Sequence, residues 1–519
     1  MNMNKNNLDI KILDCTLRDG GYYTNWDFSE ELVKIYFDAF NHLPVEFLEI
    51  GYRSNAMNSY LGEYFYCPPY VLEKCKELSN KKLVIILNEK DIRPEHVNNL
   101  LGPCIGYIDM VRIAIDPKFF KRALLLAEAV KKMGFLVGFN VMYMSNWEGE
   151  KEFLSQIKEV DGIADYFYMV DSYGGVYPDD VKKTFEIVRN QAKVKIGFHG
   201  HNNLELGLIN TLTAIECGVS IVDTTVTGMG RGAGNLSTEL LLTALNAKGL
   251  IDLDFNALSK VVDPFSKMQA EYGWGTNLPY MVSGANSLPQ KEVMEWVTKR
   301  YYSLNSIIRA LSNQSKGLQD NMELEDFKGV EKFKDVLIIG GGPSGTTHSK
   351  AINEFISNNP KICIIHTSSK NTKNYNKAEQ LQIHCLVGNE GHRLEESFNE
   401  VSHSNKLALL PPYPRTMGTY IPASLEDVAF QLREISFTTK YQESVTALAI
   451  EAALKLKIEN IYFAGYDGYN GDITPQEMEL FNENEYIFKR LKEVSELSPV
   501  SITPTTYSEL DHKSVFALL

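Results

Sequence analysis

Eight short apolar, β-branched runs, at residues 11–15, 45–50, 82–87, 107–113, 135–141, 165–170, 194–198 and 220–225, alternate with stretches of helical apolar spacing. The run Ala-Leu-Leu-Leu-Ala-Glu-Ala-Val within 121–133 is one such helical stretch. Parallel strands need long crossovers, and a helix is the usual one. Eight strand–helix units within roughly 240 residues therefore predict a (β/α)8 barrel, with an open doubly wound sheet as the other arrangement that yields the same alternation.

In a barrel of this kind, chemistry sits at the C-terminal ends of the strands. Arg18, Asp19, Glu49, Arg112, Asn140, Asp171, Ser172, His199, His201 and Thr224 all fall at predicted strand ends. Residues i and i+2 of a strand face the same side, so His199 and His201 can ligate one ion, and Asp19 can add an oxygen from across the barrel mouth. One carboxylate, two imidazoles and open positions describe a catalytic divalent-metal site rather than a closed structural one. The plainer alternative is a pair of structurally satisfied histidines. Arg18 either meets negative charge developing on a substrate or pairs with a carboxylate such as Glu49. Arg53 and Arg112 are suited to a carboxylate or phosphate, or to structural ion pairs.

A chain of 519 residues exceeds one ordinary core, so two domains are expected. The reading is a barrel domain with a helical extension over 1–311, a polar linker over 312–334, and a smaller Rossmann-like α/β domain over 335–519. In the latter, Gly340, Gly342 and Gly345 follow a predicted strand and precede a helix, and with Ser344 they form a candidate phosphate or nucleotide turn. The acidic residue expected after the next strand is missing, since Ile364-Ile365-His366-Thr367-Ser368-Ser369 stands there, and this disfavours NAD. The formal charge of −14 argues against nucleic acid and anionic membranes as partners. The polar start and the lack of a long apolar run predict neither a signal peptide nor a membrane span. Seven scattered cysteines without a Cys-x-x-Cys pair suit free thiols in a reducing cytoplasm.

Thr16-Leu17-Arg18-Asp19-Gly20, His199-Gly200-His201-Asn202 and Gly228-Met229-Gly230-Arg231-Gly232-Ala233-Gly234-Asn235 together resemble the DRE-TIM metallolyases, most closely 4-hydroxy-2-oxovalerate aldolase-like proteins, over about residues 8–300. The resemblance implies that Asp19, His199 and His201 hold a divalent ion, Mn2+ or Mg2+, with Zn2+ and Co2+ also fitting. It implies that Arg18 stabilises an enolate, that Ser172 and Tyr280 contact substrate, and that Asn235 is a further ligand or orders the site. Arg112 and Asn140 are expected to shape the pocket for the second substrate. Family likeness also implies a homo-oligomer. In the second half, the Gly-Gly-Pro-Ser turn and Phe463-Ala464-Gly465-Tyr466-Asp467-Gly468 resemble nucleotide-sugar-type folds of some sialyltransferases, and an assembly or gating role stands beside that reading.

One position departs from the aldolase pattern. The family places a basic histidine three residues after the metal aspartate, and this chain has Tyr22. Phenol, with a pKa of about 10, is a weak base unless a neighbouring cation lowers that value. Tyr22 is read as assisting proton transfer, with an aromatic wall as the alternative. The expected function is a metal-dependent aldolase joining or separating pyruvate, as its enolate, and an aldehyde, the latter sugar-derived and serving surface-polysaccharide synthesis. The rival readings are an acyl-CoA Claisen-type synthase or lyase, a silent barrel scaffolding the second domain, and a second domain that is itself the main enzyme.

Overall fold

A computed structural model of the chain describes residues 10–298, 302–318, 321–329, 333–388, 390–398, 405–415, 417, 420–469, 471 and 473–519. The chain divides into two compact units, Met1–Glu295 and Trp296–Leu519.

The first unit is a closed barrel of eight strands, β1 (Lys11–Asp14), β2 (Phe47–Tyr52), β3 (Lys82–Asn88), β4 (Met110–Ile115), β5 (Leu136–Val141), β6 (Tyr166–Asp171), β7 (Lys195–Gly200) and β8 (Ile221–Thr224), each paired in parallel with the next and β8 with β1. The closed sheet settles the choice left open by alternation alone. Helices cover its outside, and the apolar faces of strands and helices share one continuous core.

The inside of the barrel is layered. A lower apolar group comprises Leu13, Phe47, Val84, Met110, Tyr166 and Ile221. Above it the even-numbered strands contribute Glu49 (β2), Arg112 (β4), Tyr168 (β6) and Asp223 (β8), which matches the rule that each barrel layer is built from alternate strands. Here the layer is charged rather than aliphatic. Arg112 lies 3.3 Å from Glu49 and 2.5 Å from Asp223, with its guanidinium 4.1 Å from the centre of the Tyr168 ring.

Arg18 and Asp19 do not sit at a strand end, as the sequence suggested, but on a helix, α1 (Thr16–Thr24), that starts directly beyond β1. Asp14 makes the turn. Its carboxylate accepts from the Thr16 amide (2.9 Å) and hydroxyl (2.6 Å), from Tyr36 (2.8 Å) and from Thr238 (2.6 Å). An aspartate bonding its own backbone two residues on is a turn-forming device.

The second unit is an eight-stranded parallel sheet: β9 (Asp335–Ile339), β10 (Ile362–His366), β11 (Gln382–Cys385), β12 (Lys406–Leu410), β13 (Ala429–Gln431), β14 (Asn460–Ala464), β15 (Pro499–Ser501) and β16 (Asp511–His512), in the order β13-β12-β11-β10-β9-β14-β15-β16. Three of these, β13, β15 and β16, have two or three residues each, too short to show a period in the sequence. The polar stretch read as a linker is structured in part. A helix, Leu304–Ser315, runs into it, and Phe327 is buried in the second unit's core with its amide on the Gln431 carbonyl. Residues 319, 320 and 330–332 of that stretch lie outside the described ones. No helix among the described residues is long and apolar enough to cross a membrane, and all seven cysteines are free thiols.

Candidate active site

A cavity of about 350 Å³ opens at the C-terminal ends of the barrel strands. Arg18, Asp19, Tyr22, Asn140, Ser172, His199 and His201 line it, as the sequence analysis expected. Tyr52, Asn88, Tyr143, Tyr173, Arg231 and Lys291 also line it. Asp19 and Tyr22 are three residues apart on α1 and so share a helix face.

The two imidazoles are held from behind. His199 Nδ1 lies 2.8 Å from Asp223 Oδ2, and His201 Nδ1 lies 2.7 Å from the Asp171 carbonyl oxygen. Both contacts leave Nε2 for a ligand. Metal-binding histidines commonly have their other nitrogen anchored to a carboxylate or carbonyl in this way. Burial, reinforced by the neighbouring His199, pushes the His201 pKa down to about 3, so the ring is a neutral donor near pH 7. For Asp19, burial works against ionisation, but Arg18 and the two histidines outweigh it and hold the group below the usual carboxylate range. Arg18 Nη1 donates to Asp19 Oδ1, and Asn235 Nδ2 donates to Oδ2 at 2.6 Å. Asn235 comes from the glycine-rich turn, which pairs with His201 as an isolated bridge. That turn is tight: Gly234 has φ +77°, and a Cβ there would lie 2.2 Å from the Gly228 carbonyl oxygen.

Among the described residues, the His, Cys, Asp or Glu trio whose donor atoms all lie within 4.8 Å of one another is Cys15, His199 and Asp223, not Asp19, His199 and His201. Cys15 and Asp223 do not line the cavity, and Asp223 is paired with Arg112. Burial also pushes the Cys15 thiol well above its ordinary pKa. This tighter trio therefore has the character of a support behind His199, whereas the wider arrangement of Asp19, His199 and His201 faces open space. The residues present fit a divalent ion: an ionised carboxylate, two imidazoles oriented through their Nδ1 atoms, and room for further ligands.

Arg18 makes the ion pair with Glu49 that was one of the two expectations for it. Its Nε donates to Glu49 Oε2 at 2.7 Å while its Nη1 meets Asp19, and the side chain still reaches the cavity. Two expected substrate contacts are not found. Arg112 is fully buried beneath the cavity, neutralised by Glu49 and Asp223, and its Nε donates to Asn140 Oδ1 at 2.7 Å. Tyr280 is buried behind Gly232 and does not line the cavity. Arg53 is likewise structural, with its guanidinium on the carbonyls of Leu100, Tyr66 and Cys67. Ser172 is at the wall, where its Oγ accepts from the Tyr143 amide at 2.8 Å. Asp223 and Arg231 escaped assignment. Asp223 was detectable as a carboxylate inside an apolar strand, and Arg231 as the one charge in a run of glycines.

In the second unit, Gly340 and Gly342 line a cavity of about 410 Å³ that Lys370, Arg393 and Asp467 also line. The Asp467 carboxylate accepts from the Ser344 amide (3.1 Å) and hydroxyl (2.9 Å). Gly342 has no room for a side chain because a Cβ would lie 2.0 Å from Asp467 Oδ2 and 2.6 Å from the Gly465 carbonyl oxygen. The glycines thus serve the packing of two loops, and the helix after them, Ser344–Thr347, is a single turn.

Comparison with known proteins agrees with this geometry. The HMGL-like family model matches residues 112–263. A 4-hydroxy-2-oxovalerate aldolase from Pelotomaculum thermopropionicum is 31% identical over 263 residues, which cover 46% of this chain and 71% of that protein. An oxaloacetate decarboxylase from Mycobacterium tuberculosis is 26% identical over 322 residues, 59% of this chain and 92% of that protein. The crystal structure of the N-terminal domain of a candidate aldolase from Bacteroides vulgatus superposes with a TM-score of 0.56 at 56% identity, covering 58% of this chain and all of that one. The barrel is of the lyase class. The chain belongs to the HMGL-like family, within the DRE-TIM superfamily.

Proposed function

We propose that the barrel is a divalent-metal-dependent aldolase that forms or cleaves a carbon–carbon bond between pyruvate, as its enolate, and an aldehyde. The observation that carries this reading is that Arg18 and Asp19, adjacent on α1, face the same cavity as two imidazoles whose Nδ1 atoms are already anchored. The relatives point the same way. Cleavage of 4-hydroxy-2-oxovalerate and decarboxylation of oxaloacetate both leave the enolate of pyruvate.

Asp19, His199 and His201 would hold the ion, Mn2+ or Mg2+, which supplies Lewis-acid polarisation of a 2-oxo acid. Arg18 places a guanidinium where negative charge develops on the former ketone oxygen. A preorganised donor of this kind is worth roughly 3–4 kcal/mol of barrier. Glu49 keeps that guanidinium from swinging away. In the cleavage direction a proton must leave the substrate hydroxyl. Tyr22, with its hydroxyl 3.4 Å from that of Tyr52 and its ring 4.9 Å from the Arg231 guanidinium, is placed to take or relay it.

The test needs no knowledge of the aldehyde. With Mn2+ present, the protein should exchange the methyl protons of pyruvate with deuterium, followed by proton NMR. Arg18→Ala and Asp19→Ala should each lose at least a hundredfold in rate. Exchange that persists undiminished in both variants would refute these roles.

A further inference from the structure

Three arginines gather at or beneath the cavity, and two are neutralised. Arg18 meets Asp19 and Glu49, and Arg112 meets Glu49 and Asp223. Arg231 is different. It has no carboxylate within ion-pair distance among the described residues, and its guanidinium lies over the Tyr22 ring, 4.9 Å from its centre. Both oxygens of Asp19, the nearest acid acting on it, are already taken, by Arg18 and by Asn235. The side chain is half-buried and lines the cavity, as does Lys291, which is exposed and also has no carboxylate partner among the described residues.

The other two arginines are matched. Three buried carboxylates, Asp19, Glu49 and Asp223, meet the guanidinium groups of Arg18 and Arg112. Within this group the one excess negative charge, together with the carboxylate of a 2-oxo acid, balances a divalent ion, while the buried Asp171 carboxylate is held by the amides of Gly175 and Val176. Arg231 and Lys291 are then left over in the lining of the cavity, Arg231 beside Tyr22. A guanidinium held by stacking, with its N–H edge free, is a ready receptor for a planar or tetrahedral oxyanion. Four tyrosines, Tyr22, Tyr52, Tyr143 and Tyr173, line the same cavity and offer hydroxyls and ring faces to a polar chain.

We infer that Arg231, assisted by Lys291, forms an anion subsite for the acceptor, and that the aldehyde partner is a hydroxylated compound bearing a phosphate or carboxylate. This rests on the aldolase reading for the word acceptor, but the subsite itself is a property of binding.

The experiment uses three inert compounds built on one three-carbon hydroxylated skeleton: glycerol 1-phosphate, glycerate and glycerol. Each is titrated calorimetrically into the full-length protein treated with EDTA, so that no bound ion can attract the anion. At least one anionic compound should bind tenfold or more tightly than glycerol, and which one does so identifies the anion. Arg231→Ala should reduce that preference to under threefold, and Arg231→Lys should retain part of it. Equal binding of all three by the native protein would overturn the subsite, as would a preference that survives Arg231→Ala in a variant whose melting temperature is unchanged. Deuterium exchange into pyruvate by the native protein is read separately. Its absence beside an intact anion preference defeats the aldolase reading and leaves the subsite standing.

Discussion

Nδ1 of His199 lies 2.8 Å from Oδ2 of Asp223, and the same oxygen receives Arg112 at 2.5 Å. Burial works against ionisation of Asp223, but the charges of Arg112 and His199 keep its pKa below the usual range. An ionised acceptor then fixes the tautomer of His199 with its proton on Nδ1, leaving Nε2 as the ligand atom. Asp223→Asn offers the ring an amide instead. Mn2+ affinity, measured by electron paramagnetic resonance or calorimetry, should fall 10- to 100-fold, in line with changes to such supporting partners elsewhere. Unaltered affinity would show that Asp223 does not orient the ring.

Arg112 was the residue whose placement differed most from expectation, and its substitution separates the two readings. Arg112→Met strips a shared cation from Glu49 and Asp223, both buried. Breaking a buried pair in this way costs about 3–5 kcal/mol, which urea denaturation will register. A substrate-binding arginine would instead raise KM and leave the denaturation midpoint in place.

Gly342→Ala probes the contact between two loops of the second unit. Its Cβ would fall 2.0 Å from the Asp467 carboxylate and 2.6 Å from a backbone oxygen that has little freedom to move. Overpacking of this size costs about 1–3 kcal/mol. The expected result is a lower melting temperature for the second unit's transition. An unshifted transition would mean that the loops are not packed as described.

Asp14 gives a pH signature. Burial raises its pKa from 3.8 to about 6, against the lowering effect of its bonds from Thr16, Thr238 and Tyr36. Between those values the folded protein keeps a proton that the unfolded chain has released. The contribution is therefore complete below about pH 4 and is lost as pH rises through 6. Two pH units correspond to roughly 3 kcal/mol. Asp14→Asn does not titrate, so the stability difference between native protein and variant should shift against the native protein by up to that amount between pH 4 and 7. Asp171, raised in the same direction to about 6, is present in both and cancels. A difference that stays flat with pH would contradict the buried, protonatable carboxyl.

Much of the barrel was legible because its signal is local. Each strand is a continuous apolar run, since both faces of a parallel barrel strand are buried, and the observed strands begin and end within about three residues of the predicted ones. His199 and His201 were legible for a similar reason, because strand alternation alone puts them on one side. Arg18 and Asp19 were assigned to the correct mouth but to the wrong element. Nothing in a five-residue motif distinguishes the last turn of a strand from the first turn of a helix until the Asp14 carboxylate is seen capping Thr16.

The sequence by itself therefore determined the eightfold repeat, the end of the barrel that carries the chemistry, and the residue types available there, because period and alternation act over a few neighbouring residues. The tertiary structure alone decided which charges are already matched. Glu49, Arg112 and Asp223 stand 63 and 111 positions apart along the chain and meet only because alternate strands of a closed barrel point inward at one height. Their pairing takes Arg112 away from any substrate and leaves Arg231 as a guanidinium with no ion-pair partner among the described residues. That is a matter of distance and desolvation, which no linear pattern encodes.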